Sequence, residues 1–127
     1  MIRDLNSCTT AAVGLTAAAV STNTTTNGAV IDLADAGGVL FVVNAASYTG
    51  DRVFTGTITV GNAADLSDGV AATDLQGSVA LSAAGVGKVG IRLNGYRYAR
   101  LNLVSTGTTG GATVSAAALL FDLKVEV

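Results

Sequence analysis

Histidine, proline and tryptophan are absent from this 127-residue sequence, and cysteine occurs once, at Cys8. Without histidine the serines lack their usual general base, and a Ser–Lys pair would have to use Lys88 or Lys124, which both alternate outward on predicted strands. One cysteine forms no internal disulfide, and with no histidine beside it the ligands of a zinc site are missing. We therefore expect no enzyme, no bound metal and no cofactor.

Charge is also scarce, since charged residues make up 13% of the chain and the formal net charge is −2. A general nucleic-acid binder needs a basic face that neutralises phosphates, so we expect no nucleic-acid partner. Residues 5–31 carry no charge at all. The polar run Ser21–Asn27 interrupts them, and no apolar span of about 20 residues remains to cross a membrane. We expect no membrane partner and find no export signal.

What the chain does contain is abundant Thr, Val, Ala and Gly, which favours strands and turns over helices. In the run 53–60, Phe54, Ile58 and Val60 share one parity and threonines take the other. The apolar run 39–43 suits a strand that is covered on both faces. Alanine-rich 11–20 is interpreted as a strand or an extended arm rather than a helical turn. The sequence predicts one all-β domain over 1–127, an antiparallel, jelly-roll-like β-sandwich of seven to nine strands.

The stretch 88–104 predicts a central β-hairpin. Apolar residues alternate on both sides of Asn94-Gly95, a pair that is typical of a tight two-residue turn. In that register Arg92 lies opposite Arg97, and two like charges need an acidic partner such as Asp51 or a carboxylate of a neighbouring subunit. Arg92 and Arg97 are therefore candidate protein-interface residues.

A calcium site is the one metal site that the sequence raises. Asp65, Asp68 and Asp74 lie in a glycine-bearing loop, and calcium binds carboxylate oxygens. Their spacing is not that of an EF-hand and no Glu closes the loop. Turn formation alone explains Asp68-Gly69. We expect no metal here.

Three stretches resemble a family of small structural proteins of tailed bacteriophages, the capsid cement or decoration proteins. They are residues 27–33, residues 38–45, and the run from Leu81 through Val89-Gly90-Ile91 and Tyr98-Ala99-Arg100-Leu101 to Ala112. The segment 51–69 is richer in Val and Thr than the family pattern, and the C-terminal tail is longer and more charged. These departures leave open a capsid cement protein, a head-fibre base, or another head or neck component.

The resemblance implies a β-sandwich, made in the host cytoplasm, that assembles as a homotrimer on the outer capsid surface of the virion. There it would bridge neighbouring subunits of the major capsid protein. The alternative is a carbohydrate- or receptor-binding β-module of a head fibre or tail, although sugar sites use aromatic rings and this chain has few. Residues 1–10 are a possible N-terminal arm that adds a strand to a neighbouring sheet, which makes its residues further interface candidates: Met1, Ile2, Arg3 and Leu5.

Overall fold

The computed structural model describes residues 9–34, 36–92 and 95–121. Within them the chain forms eleven strands: β1 (Thr9–Val20), β2 (Thr24–Asn27), β3 (Ile31–Asp32), β4 (Gly38–Gly50), β5 (Val53–Gly61), β6 (Val70–Ala71), β7 (Gln76–Ser78), β8 (Ala80–Leu81), β9 (Gly85–Arg92), β10 (Tyr98–Thr106) and β11 (Gly110–Phe121). No helix in this part of the chain could cross a membrane.

The strands form two antiparallel sheets, and the predicted β-sandwich is confirmed. One sheet has five strands in the order β1-β11-β4-β9-β7. The other has six: β2-β10-β5-β6, with β3 also paired to β10 and β8 to β5. The strand number exceeds the predicted seven to nine because the structure adds very short strands such as β6 and β7, which have two and three residues. Strands that short leave no alternation in a sequence.

The core lies between the sheets and is built from alternate residues of the long strands. Phe54, Ile58 and Val60 are at most 1% exposed, which confirms the predicted inward side of β5. In the run 39–43 the odd-numbered residues are buried, but Leu40 and Val42 are half-buried on the outer surface. That strand is therefore fully covered on one face only, contrary to the prediction.

The predicted hairpin around Asn94-Gly95 is wrong. β9 belongs to the five-stranded sheet and pairs with β4 and β7, whereas β10 belongs to the six-stranded sheet and pairs with β2, β3 and β5. The chain crosses from one sheet to the other between them, so their apolar sides face each other across the core. Alternation identifies the buried side of each strand but not its hydrogen-bonded partner.

β1 is a strand, the first of the two alternatives that the sequence left open for 11–20, and it forms one edge of the five-stranded sheet. Its register against β11 shifts between Val13 and Leu15 and again before Ala18. At the first of these bulges the Gly14 carbonyl accepts a hydrogen bond from the Ala29 amide at 2.9 Å, which ties the two sheets together. Thr9 and Thr10 already pair with β11, so the predicted arm 1–10 is wrong for its last two residues.

Candidate functional site

The outer surface of the five-stranded sheet is apolar across three neighbouring strands. Val13 of β1 lies opposite Ala117 of β11, and Ala117 lies opposite Val42 of β4. Residues that lie opposite each other share one face of a sheet. The next row has the same character, and we call these six side chains the neutral face: Ala11, Val13, Leu40, Val42, Ala117 and Leu119.

The neutral face is accessible and carries no charge. Val13 is 62% exposed, Ala11 and Ala117 are exposed, and the other three side chains are half-buried. Among the described residues, the charges on the same outer surface are Lys88 and Arg92, which lie on β9 at its margin. Continuous apolar surface of this kind is typical of contact sites for other proteins.

A pocket of about 230 Å³ opens at the end of the neutral face next to β9. Leu40, Phe121 and Gly90 line it, and Arg92 stands at its margin. A side chain at position 90 would place its Cβ 2.6 Å from the Val39 carbonyl oxygen, so the pocket depends on glycine there. An apolar floor beside an exposed guanidinium suits an apolar side chain that has a carboxylate close by.

The outer surface of the six-stranded sheet has the opposite character. Its outward residues on β5 and β10 are mainly hydroxyl, amide and guanidinium side chains, and we call this set the polar face: Thr55, Thr57, Thr59, Arg100 and Asn102. The Asn102 amide donates a hydrogen bond to the Thr59 hydroxyl at 2.6 Å. Within this set the threonines Thr55 and Thr57 are exposed, whereas Asn102 is buried and Arg100 is half-buried.

The two arginines that the sequence selected do not lie opposite each other. Arg92 lies at the pocket on the five-stranded sheet, as described above. Arg97 precedes β10 and binds Asp32 with two hydrogen bonds of 3.2 and 3.1 Å, while its guanidinium lies 5.3 Å from the centre of the Tyr98 ring. This ion pair holds the pKa of Asp32 below its ordinary value.

Asp51 is not the partner of these arginines, because it lies at the other end of β5 and β10. Its carboxylate accepts hydrogen bonds from the Thr108 and Thr109 amides at 2.9 and 2.8 Å and from the Thr108 hydroxyl. These bonds hold the pKa of Asp51 far below its ordinary value. The other predicted interface residues, Met1, Ile2, Arg3 and Leu5, lie outside the described residues.

Arg52 is a buried polar residue whose structural role the sequence did not indicate. It is 3% exposed, and its guanidinium donates to the Gly110 carbonyl at 3.1 Å, the Ser21 carbonyl at 3.0 Å and the Asn23 side-chain oxygen. With Asp51 it joins three connections at one end of the sandwich. Both residues therefore fix the two sheets relative to each other, which is a structural role rather than a binding role.

The acidic loop that raised the question of calcium is held by its own carboxylates. Asp68 accepts hydrogen bonds from the Asn62 and Ala63 amides at 3.0 Å each, and Asp65 accepts one from the Ser67 amide at 3.0 Å. These bonds lower the pKa of both carboxyl groups. Across the described ranges, no three acidic, histidine or cysteine side chains come together in a way that could hold a metal ion.

No protein-family profile and no curated protein sequence matches this chain. One solved structure that shares the fold is the crystal structure of the SPBc2 prophage-derived protein YomS. It superposes with a TM-score of 0.52 at 12% sequence identity, and the match covers 88% of this chain and 91% of that one. At this identity the likeness is one of fold, and it extends over nearly the whole of both chains.

Proposed function

We propose that this chain is a structural protein of a bacteriophage particle, a cement protein on the outer surface of the capsid. It would bridge neighbouring subunits of the major capsid protein and would have no catalytic role. The neutral face is the observation that carries this proposal. It offers a broad contact area without reactive groups, which is what a protein that only reinforces a shell requires.

The outer surface of β1, β4 and β11, of which the neutral face is a part, has a size that fits this role. Three strands about 4.8 Å apart, each rising about 3.4 Å per residue over some eleven residues, give roughly 500 Å² for this whole surface. Covering all of it would bury about 1,000 Å² in total, the lower limit of a specific protein interface. A modest contact of this kind becomes effective when many copies act on one shell.

Two further observations support the proposal. The resemblance of residues 27–33 and 38–45 to cement proteins points to a phage particle, and a prophage-derived protein shares the fold over 88% of the chain. Arg92, beside the pocket, supplies a cation that would bind a carboxylate of the major capsid protein. The homotrimer that the resemblance implies is proposed for the copies bound to the shell and not for the free chain.

The alternative, a carbohydrate- or receptor-binding module, has weaker support. Sugar sites stack rings on accessible aromatic side chains. All three Phe and all three Tyr lie in the described part of the chain, and none is exposed: Phe41 and Phe54 are buried, and the other four are half-buried.

The copy number of this chain in purified virions tests the proposal. A cement protein covers the shell, so quantitative mass spectrometry should find hundreds of copies per particle. A handful of copies would contradict the proposal and favour a fibre or tail component.

A matched pair of variants tests the surface. Ala117→Lys places a charge in the middle of the neutral face, whereas Thr57→Lys places the same charge on the polar face, and both positions are exposed. In a sedimentation assay with shells that lack the protein, Ala117→Lys should abolish binding and Thr57→Lys should bind like the unmodified protein. Equal binding by both variants would exclude the neutral face as the attachment surface.

A further inference from the structure

The outer edge of β1 differs from every other strand edge in the sandwich. No strand of the described chain pairs with β1 on its outer side. β1 has 12 residues, whereas the strands that end the sheets elsewhere have two to four. Short edge strands present few free backbone groups, but a long one is a template for another strand.

β1 also lacks the usual protection of an edge strand. It contains no charged residue and no proline, and Thr10, Ala11, Ala12 and Val13 are all exposed. The bulges near Gly14 disturb only the middle of the strand, where the Gly14 carbonyl is already bound by Ala29. The stretch from Thr9 to Val13 keeps a regular register against β11 and remains open on its other side.

We propose that a second copy of this chain covers this edge, with the two β1 strands paired antiparallel about a two-fold axis. Two identical antiparallel strands are self-complementary. The backbone N–H of each paired residue donates to the C=O of its partner, and its own C=O accepts from the partner's N–H. The absence of charge on β1 means that no like charges meet across the axis.

The position of β1 gives a second reason to favour a copy of the same chain. Ala11 and Val13 are the border of the neutral face, so pairing of two β1 strands would join two neutral faces on one continuous sheet surface. An unrelated strand would cover the edge without extending this surface. The inference does not depend on the cement role, since it concerns the purified chain alone.

The mass of the purified full-length chain tests the pairing. An edge contact is smaller than a standard interface, so we expect a monomer–dimer equilibrium in sedimentation experiments between roughly 1 μM and 1 mM, the range of weak dissociation constants. A monomer throughout this range would overturn the proposal. A trimer would overturn it too and would support the assembly implied by the resemblance.

Two lysine variants locate the contact. Ala12 is exposed but lies opposite the fully buried Ala118, so its side chain is at the edge of the sandwich and not on the neutral face. Ala12→Lys should weaken dimerisation at least tenfold, because an edge lysine opposes strand addition. Ala117→Lys is the matched control and should leave the mass unchanged. Loss of the dimer in Ala117→Lys alone would mean that the faces pair instead, and would overturn the proposal.

Hydrogen exchange of the unmodified chain provides a measurement that does not depend on a variant folding. The backbone amides of residues 10–13 should exchange more slowly as the protein concentration rises, because pairing protects them. The amides of β7, at the opposite edge, should be unaffected. Exchange of residues 10–13 that is independent of concentration, in samples that contain dimer, would refute the pairing of β1.

Discussion

The outer faces of the two sheets have opposite chemistry although their inner faces are alike. Both sheets bury apolar residues in the shared core, but the outer side of one carries Ala, Val and Leu and the outer side of the other carries Thr, Asn and Arg. A sandwich folds with one apolar face per sheet, and its other faces are ordinarily polar. The neutral face is therefore not required for folding, and its apolar character agrees with the protein contact that we propose for it.

Two core substitutions test whether the inner faces of the two sheets are alike, and they should have the largest effect on stability. Phe41 and Phe54 come from different sheets, and both are fully buried. Phe41→Ala and Phe54→Ala should each reduce the free energy of unfolding by about 3–5 kcal/mol, because each leaves a large cavity. Urea denaturation measures both. Losses that differ by more than a factor of two would show that the inner faces are not equivalent.

The end of the sandwich where Asp51 links two connections between the sheets, which we call the joint, should be sensitive to acid. Asp51 begins the connection from β4 to β5 and binds the connection from β10 to β11, and both connections cross between the sheets. Its pKa is lowered on folding, so its contribution to stability is complete above its ordinary value of 3.8 and is lost as the pH falls through the lower folded value. The melting temperature should therefore decline below about pH 4.

Asp51→Asn identifies the group responsible. The variant should melt at a lower temperature than the unmodified protein at pH 7, and the difference should shrink as the pH falls below 3.8. Asp74→Asn, an exposed aspartate in a loop, is the control and should follow the unmodified curve. A pH profile that Asp51→Asn leaves unchanged would show that Asp51 does not control the joint.

Polar substitution of the apolar outer surface should change its binding properties but not its stability. Val13 and Val86 are 62% and 61% exposed on the five-stranded sheet. Val13→Thr and Val86→Thr should each alter the free energy of unfolding by no more than about 0.5 kcal/mol, because exposed side chains contribute little to stability. Binding of a hydrophobic dye should fall. Val70→Thr, at a 48% exposed valine of the other sheet, is the control that should keep dye binding.

Much of the fold follows from alternation along single strands, and what the sequence did not predict depends on distant partners. The burial of Phe54, Ile58 and Val60 follows from a period of two. The partner of β9 does not, because apolar alternation is equally compatible with a hairpin and with two strands that face each other across the core. The hydrogen bonds of Arg52 to Ser21 and Gly110 join residues that lie 31 and 58 positions away, and no local pattern indicates them.

The neutral face shows why the candidate site was only partly predicted. Leu119 and Phe121 share one side of β11, and size alone suggests that these larger residues face the core. In the structure the small residues Ala116 and Ala118 face it instead, and Ala118 lies directly opposite Phe41. The small alanine is compatible with a ring at that level of the core, and Leu119 is left on the outer surface.

The smallest effect is expected from Arg97, and it separates the two arginines that the sequence treated as a pair. The side chains of Arg97 and Asp32 are 57% and 47% exposed, and an ion pair in water is screened and adds little stability. Arg97→Ala should leave the melting temperature, the mass and shell binding unchanged at low and high salt. Arg92→Ala, at the pocket beside the neutral face, should weaken shell binding about tenfold, equivalent to about 1.4 kcal/mol. Sedimentation with empty shells measures both, and loss of binding in Arg97→Ala with full binding in Arg92→Ala would move the attachment surface away from the five-stranded sheet.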